Sequence, residues 1–389
     1  MDVATSARQA SLRAANLGLV LRTLCGSASA LSRADLAART GMTRATAARL
    51  VDELVEAGLA DELERSAEGR RGRPATPLRP GGSVAALGLQ IDVTYLAARV
   101  INLRGEVVAE RVEQADLVDS DPRPVLARLR QLARQASKDV PAGSQLIGAG
   151  LALPGIVDSQ RGVLLRAPNL GWEELRIGSA LGQPVRVGNE ADLAALTVAQ
   201  TAPGRSSELQ DFLYVSGNVG VGGAAVLAGR IMTGSHGRGG EIGHVCVDAS
   251  GPRCGCGARG CLEQYAGQHA LLQAAGLPPT SPVELVAVRA NDGDPRAQQA
   301  LTAAVSALGI ALGGVINVLD ISTVVLGGHL GVLSPGLEQQ LEARVLSSQW
   351  GRPRVLVAPT TSAPAATGAA LHCLTELLQQ PGRWLAGAA

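Results

Sequence analysis

The strongest constraint on this chain lies in residues 239–263, GGEIGHVCVDASGPRCGCGARGCLE. Cys254, Cys256 and Cys261 form C-x-C-x4-C, and His244 stands ten positions before the first of them. One imidazole and three thiolates complete a tetrahedral zinc set with no place left for water, the donor pattern of a structural ion. Gly255, Gly257 and Gly260 let the chain wrap tightly round it. Six cysteines in 389 residues are too few for a disulfide scaffold, so the cluster favours metal, with thiol redox chemistry as the alternative.

A chain of this length has room for two or three domains and a large core. It is 46% hydrophobic but only 2% aromatic, so its cores are built mainly of Ala, Val and Leu. No stretch approaches ~18 uninterrupted apolar residues, and no membrane insertion is expected. The opening MDVATSARQA has no basic-then-apolar leader pattern, which points to a cytoplasmic protein. A net charge of +1 excludes no partner by itself.

Residues 8–65 read as three helices and a turn back. Leu12, Leu17, Leu19, Val20, Leu21 and Leu24 give the first an apolar stripe. Ser32 is an N-cap for a second helix over 33–40, which Gly41 breaks. Thr43 caps a third that runs to about Ala57, with Ala47, Leu50, Val51 and Leu54 on one face and Gly58 as its stop. Thr43, Arg44, Thr46 and Arg49 then occupy the N-terminal end that meets base edges in a helix-turn-helix. The segment GRRGRPATPL predicts a short hairpin and an extended arm, where Arg70, Arg71 and Arg73 suit phosphates or an AT-rich minor groove. Residues 1–82 hold twelve arginines against nine acidic residues, a weak excess. A small helical domain with a solvated loop is the plainer alternative to DNA binding.

Pro80, Gly81 and Gly82 mark a boundary, after which VAALGLQIDVTYLAARV and EVVAERV read as strands. A helix follows over 122–138, LIGAGLALPG is a buried strand entering a glycine turn, and PVRVGNE carries Asn189 and Glu190 at its end. Ligands of open α/β sheets sit beyond the carboxyl ends of strands, so these two residues are well placed for one. DFLYVSGNVGVGGAAVLAGR repeats the strand–glycine turn–strand pattern of 84–100, a hint of internal duplication. Helices over 281–290 and 295–318, the strand STVVLGG, a helix near 335–347, the strand VLVAP and a last amphipathic helix complete the chain.

Here the chain resembles the ROK family of sugar kinases and sugar-responsive repressors. GGEIGH followed by C-x-C-G-x-x-G-C-x-E carries the resemblance. NLGW at 169–172, LPG at 153–155 and GNE at 188–190 are similar to the family's sugar-pocket segments, and a helix-turn-helix ending in GRPATPL is similar to its repressor branch. The resemblance implies an α/β, actin-like and ribonuclease-H-like fold of two lobes round a cleft, preceded by a helix-rich winged helix-turn-helix domain. The domains then fall at 1–82, at 83–205 joined by a C-terminal helix 366–389, and at 206–365 with the zinc knot. Carried over by position, Asn169, Asn189, Glu190, Glu241, His244 and Glu263 would contact sugar hydroxyls. His244 would also hold the zinc with one ring nitrogen and reach the sugar with the other. The implied partners are duplex DNA with an inverted-repeat operator, a small sugar or sugar derivative, and further copies of the chain in a homodimer or homotetramer.

The phosphate loops depart from the kinase pattern. A family kinase needs D-x-G-G-T, and the matching segment reads Gln90–Ile91–Asp92–Val93–Thr94. The second loop, usually G-T-G, reads Asn218–Val219–Gly220. Glu190 stands where kinases place an aspartate base, and displacing a base by ~1 Å costs on the order of a hundredfold in rate. The reading is a sugar-responsive transcriptional regulator, a repressor, without phosphotransfer. An ATP-dependent sugar kinase with a DNA-binding head is the alternative, and a regulator sequestered by a membrane transporter component is a third. Cys25, Cys246 and Cys373 are read as buried core cysteines.

Overall fold

The structure, a computed structural model, describes all residues except 1–2, 65–75, 179–180, 183, 346–352, 360 and 389. Two five-stranded sheets organise it, and both are laid down in the same order. In the first, Val84–Ile91 is central and turns back antiparallel into Tyr95–Asn102 and then Val107–Gln114. Gln145–Leu153 and Val185–Asn189 extend its other side in parallel. In the second, Phe212–Gly217 is central, with Val221–Leu227 and Arg230–Ile231 antiparallel on one side. Thr323–Gly327 and Arg354–Val357 run parallel on the other. The same hairpin-then-crossover order in both sheets gives the strand–glycine–strand repeat its structural meaning.

Helices Glu190–Ala199 and Pro364–Gln379 contribute to the core between the two sheets. Ala191, Ala194, Ala195, Ala365 and Ala369 meet Phe212, Tyr214 and Val325 there. A chain so poor in aromatics packs densely by bringing backbones together instead. A Cβ added at Gly88 would lie 1.8 Å from the carbonyl oxygen of Ala366, and one at Gly368 would lie 1.7 Å from that of Leu193. The single helix expected over 366–389 is in fact two, Pro364–Gln379 and Pro381–Ala388. Pro381 has no N–H with which to continue the first.

Helices Val3–Cys25, Arg33–Thr40 and Arg44–Glu56, with strands Ala60–Glu62 and Leu78–Pro80, form the head. Ser32 and Asp35 make a reciprocal capping box, and Gly41 ends that helix at φ 70°. Leu17, Val20, Leu21 and Leu24 are buried, whereas Leu12 is 64% and Leu19 37% exposed. The apolar stripe is therefore narrower than the sequence implies: Leu12 precedes the buried stretch, and Leu19 lies within it but on another face of the helix. The head is not strung on a linker. Leu17, Leu21 and Leu24 share one core with Leu374, Leu377 and Leu378, and the Arg22 guanidinium donates to the Leu378 carbonyl at 3.2 Å. By length and composition, helix Pro295–Leu319 is apolar enough to cross a membrane, although no uninterrupted apolar run signals it. Its Ala304, Val305, Leu308, Ala311 and Leu312 are buried in the second lobe.

Candidate metal centre and ligand cleft

Residues 244–263 are held by short-range pairing rather than by a long element. A 3-10 turn, Ile242–His244, delivers His244, and isolated bridges join Cys246 to Cys261 and Arg253 to Arg259. Gly260 has φ 60°, and a Cβ there would stand 1.6 Å from the Asp248 carbonyl oxygen, so no other residue fits. Gly255 has open space round it and no positive φ, so the turn does not require it.

His244, Cys254, Cys256 and Cys261 each offer one donor atom, all within 4.8 Å of one another. Cys254 Sγ is 3.6 Å from His244 Nδ1, and Cys256 Sγ is 3.6 Å from Cys261 Sγ. A tetrahedral ion with sulfur bonds of ~2.3 Å sets its donors ~3.7 Å apart, so the four residues already have the spacing of a coordination shell. Cys25 and Cys373 are buried as expected. Cys246 is exposed instead, because it lies on the rim of the knot beside its bridge to Cys261.

A cleft of about 130 Å³ opens beside the knot, and Asn169, Asn189, Glu190, Glu241, His244 and Glu263 all line it. At ~30 Å³ per water it has room for roughly four waters, so it admits a small polar ligand only in part unless the cleft opens further. Glu263 Oε1 is 3.7 Å from His244 Nδ1 and 2.9 Å from Cys254 Sγ, whereas Glu241 Oε2 is 3.9 Å from His244 Nε2. Nδ1 is thus the nitrogen on the thiolate side, and Nε2 faces the other carboxylate. Asn189 is less free than its position suggests. Its Nδ2 donates to the Gly155 carbonyl at 2.8 Å, and its Oδ1 accepts from the N–H groups of Ala191 and Asp192 at 2.7 and 3.2 Å, capping the helix. One amide hydrogen remains for a ligand.

Gln90, Asp92, Glu190 and Asn218 form a connected network. Asp92 is 1% exposed, and its Oδ1 accepts from the Thr94 N–H at 2.8 Å and the Thr94 hydroxyl at 2.7 Å, which closes the first loop on itself. Asn218 Nδ2 donates to Asp92 Oδ2 and, at 3.1 Å, to Glu190 Oε1. Gln90 Nε2 donates to the same Glu190 oxygen at 3.2 Å. Burial, then the adjacent Asp92 charge, hold Glu190 well above the usual carboxylate range, and burial raises Asp92 as well. Two carboxyls this close in a dry site retain a proton between them. A second cavity, of about 500 Å³, lies beyond the network and is lined by Tyr95, Tyr214, Gly327, Gly328 and His329. Glu190, Ser216, Asn218 and Pro364 line both cavities, so the network stands as a partition between them.

Asp192 escaped the sequence reading. Its Oδ1 is buried without a hydrogen-bond partner, and burial, followed by the Glu241 charge, pushes its carboxyl up to about 7. The folded value lies above the ordinary 3.8, so the folded chain binds the extra proton. The stabilisation is complete below the unfolded value and is lost as pH rises through about 7. Asp192→Asn keeps the shape and removes the titration. It is expected to raise stability at pH 8 by on the order of 1–3 kcal/mol and to leave it nearly unchanged at pH 4. Urea unfolding at both values measures this, and equal wild-type and variant stabilities at pH 8 would contradict it.

On the head, Arg44 and Arg49 are exposed and make no ion pair among the described residues. Arg33 is engaged by Asp52 at 2.6 Å and Glu62 at 2.7 Å. The Thr43 and Thr46 hydroxyls lie 2.9 Å apart, and Thr43 accepts from the Thr46 N–H, so these two side chains cap the helix more than they project from it. The helix has no acidic residue in its first turn, which leaves its positive end open to an anion. Arg71 and Arg73 lie outside the described residues.

The ROK family profile matches residues 86–376. The chain belongs to the ROK family. The MarR family profile matches residues 18–72, over the head. The chain is 27% identical over 340 residues to the xylose repressor of Caldicellulosiruptor bescii, covering 81% of this chain and 83% of the relative. It is similar to the crystal structure of a ROK family transcriptional regulator, a homologue of the Escherichia coli MLC protein, with a TM-score of 0.74 and 26% identity over 95% of this chain and 97% of the other. A ROK hexokinase from Thermus thermophilus matches with a TM-score of 0.61 and 28% identity, over 75% of this chain and 99% of its own. The hexokinase is thus accounted for by three quarters of this ROK chain, whereas the regulator matches nearly all of it. The body has the actin-like fold common to both, preceded by a winged helix.

Proposed function

We propose that this ROK protein is a sugar-responsive, DNA-binding transcriptional regulator, a repressor, whose cleft senses its ligand without phosphorylating it. The observation that carries this reading is the Asp92–Asn218–Glu190 network, standing between a polar cleft and the second cavity where a phosphate donor would have to reach through. Asn169, Glu190, Glu241, His244 and Glu263, with the remaining N–H of Asn189, bind sugar hydroxyls. Carboxylates and amides suit vicinal hydroxyls, and leaving such groups unpaired is costly, which makes for selectivity. Zinc is the ion held by His244, Cys254, Cys256 and Cys261, and it fixes His244 with Nε2 towards the sugar.

Residues 1–82 are the DNA head. Residues 83–205 with the C-terminal segment form one lobe, and 206–365 form the other. Thr43, Arg44, Thr46 and Arg49 approach the major groove, and a homodimer reads an inverted repeat in the cytoplasm. The test is a thermal-shift series on the full chain with D-xylose, D-glucose and N-acetylglucosamine, each with and without ATP and magnesium. One sugar is expected to raise Tm by several degrees, as ligand at about 100 times its Kd adds ~2.7 kcal/mol. ADP release should stay at the no-sugar background. Steady ADP release with any sugar would replace the sensor with a kinase, and no shift with any of them would overturn sugar sensing.

A further inference from the structure

Helix Pro364–Gln379 starts without a cap of its own. Its N-cap residue is Ala363, at φ 54°, with no side-chain hydrogen bond to the first turn. The orphan N–H groups of a buried helix start must find acceptors elsewhere. Gln90 supplies one from the neighbouring strand. Its Oε1 accepts from the Ala366 N–H at 3.1 Å, while its Nε2 donates to Glu190 Oε1 at 3.2 Å. Gln90 is 0% exposed on a strand whose other members, Val84 to Ile91, are apolar or glycine, so both ends of its amide are committed. It does not line the cleft itself, but Glu190 and Pro364, on either side of it, do.

The helix that Gln90 caps is the one that carries the head. Its first half is pressed on the first sheet so closely that Gly88 and Gly150 face the Ala366 and Ala369 carbonyls without room for a side chain. Its second half, through Leu374, Leu377 and Leu378, shares a core with Leu17, Leu21 and Leu24 of the first head helix. A rigid helix clamped at both ends transmits a displacement of its start to whatever is packed on its far end.

We propose that Gln90 is a positioning residue that couples occupancy of the cleft to the DNA head, by tying the Glu190 carboxyl to the start of helix Pro364–Gln379. This rests on the sugar-sensor reading of the cleft. A ligand that draws Glu190 towards itself pulls on the Gln90 amide, which loosens or shifts the cap on Ala366, and the head moves with the helix. The amide has this role because it donates at one end and accepts at the other. A carboxylate in its place would repel Glu190, and an apolar side chain would leave both neighbours unpaired.

Hydrogen–deuterium exchange on the full chain, with and without the sugar that shifts Tm, tests this. In the wild type, that sugar is expected to change exchange several-fold in residues 364–379 and 3–25. In Gln90→Leu, calorimetry should show binding weakened by no more than about tenfold, the scale of one hydrogen bond. The sugar-dependent change in residues 3–25 should be lost. Gln90→Glu keeps an acceptor for the Ala366 N–H, and it carries the test if Gln90→Leu does not fold. Exchange in residues 3–25 that still responds to sugar as in wild type overturns the coupling role. So does wild-type binding that leaves the head unchanged. A wild type that binds no sugar in the calorimeter overturns the sensor reading itself, and so the two failures are told apart.

Discussion

Cys261→Ser is expected to empty the metal centre, lowering zinc from about one per chain to near zero and Tm by on the order of 10 °C. Cys261 is 0% exposed and faces Cys256 across 3.6 Å, so it sits on the inner side of the donor set. A serine hydroxyl does not ionise at neutral pH and leaves the ion a three-donor site. Structural zinc contributes about 10–16 kcal/mol in isolated zinc-finger peptides. The loss here is smaller because backbone bonds such as Leu262 N–H to the Val245 carbonyl, at 2.9 Å, persist without the ion. Sugar binding should fall with the metal, since His244 and Glu263 owe their positions to the knot. Cys246→Ser is the control. Its side chain is exposed and outside the donor set, so metal content should not change. Elemental analysis and thermal melts read both effects. A wild-type preparation carrying much less than one zinc per chain, yet melting no lower than one loaded with zinc, would remove zinc from the account.

The parts of the molecule legible from sequence are those specified within a few residues. Ser32, Gly41 and Thr43 announce helix ends because capping is a contact over three or four positions. The Cys–His set at 244–261 is legible because its residue types and short spacings all lie within one stretch of chain. The strands and helices of the body are legible one by one, such as the helix over 122–138 and the strand ending at Asn189, whereas their assembly into two facing sheets comes with the family resemblance. What stayed hidden depends on contacts between distant segments. Gln90 and Asn218 register in the sequence only as missing phosphate-loop residues. Their gain, a shared hold on Glu190 from positions 100 and 28 residues away, exists only once the two sheets face each other. Asn189 ends a strand, as the sequence predicts, but the same geometry makes it a helix cap, and that use consumes most of its amide. Asp192 carries no local mark of the burial that raises its carboxyl, nor of the charge of Glu241, 49 residues away, that raises it further.

The double substitution Arg44→Ala with Arg49→Ala is expected to weaken operator binding about 10²–10⁴-fold while leaving the head folded. Each arginine reaching a base edge or phosphate contributes about 1–3 kcal/mol. Both guanidinium groups are exposed and unpaired among the described residues, so alanine removes no internal contact. Surface changes of that kind stay within about 0.5 kcal/mol of wild-type stability. Arg33→Ala makes the contrast. That side chain joins Asp52 and Glu62, so its loss should lower stability modestly and leave DNA affinity near wild type. Duplexes selected from a random pool supply the operator, and fluorescence anisotropy over a salt series supplies the division of labour. An arginine that holds a phosphate lowers the slope of log K against log salt by about 1 on removal, for specific and random duplexes alike. One that reads a base leaves random-duplex binding nearly intact and erodes the preference. Arg44 and Arg49 both lie on helix Arg44–Glu56, and the two slopes assign each of them to one role or the other. Unchanged affinity in the double variant would mean that this helix does not face DNA, whatever its resemblance to those that do.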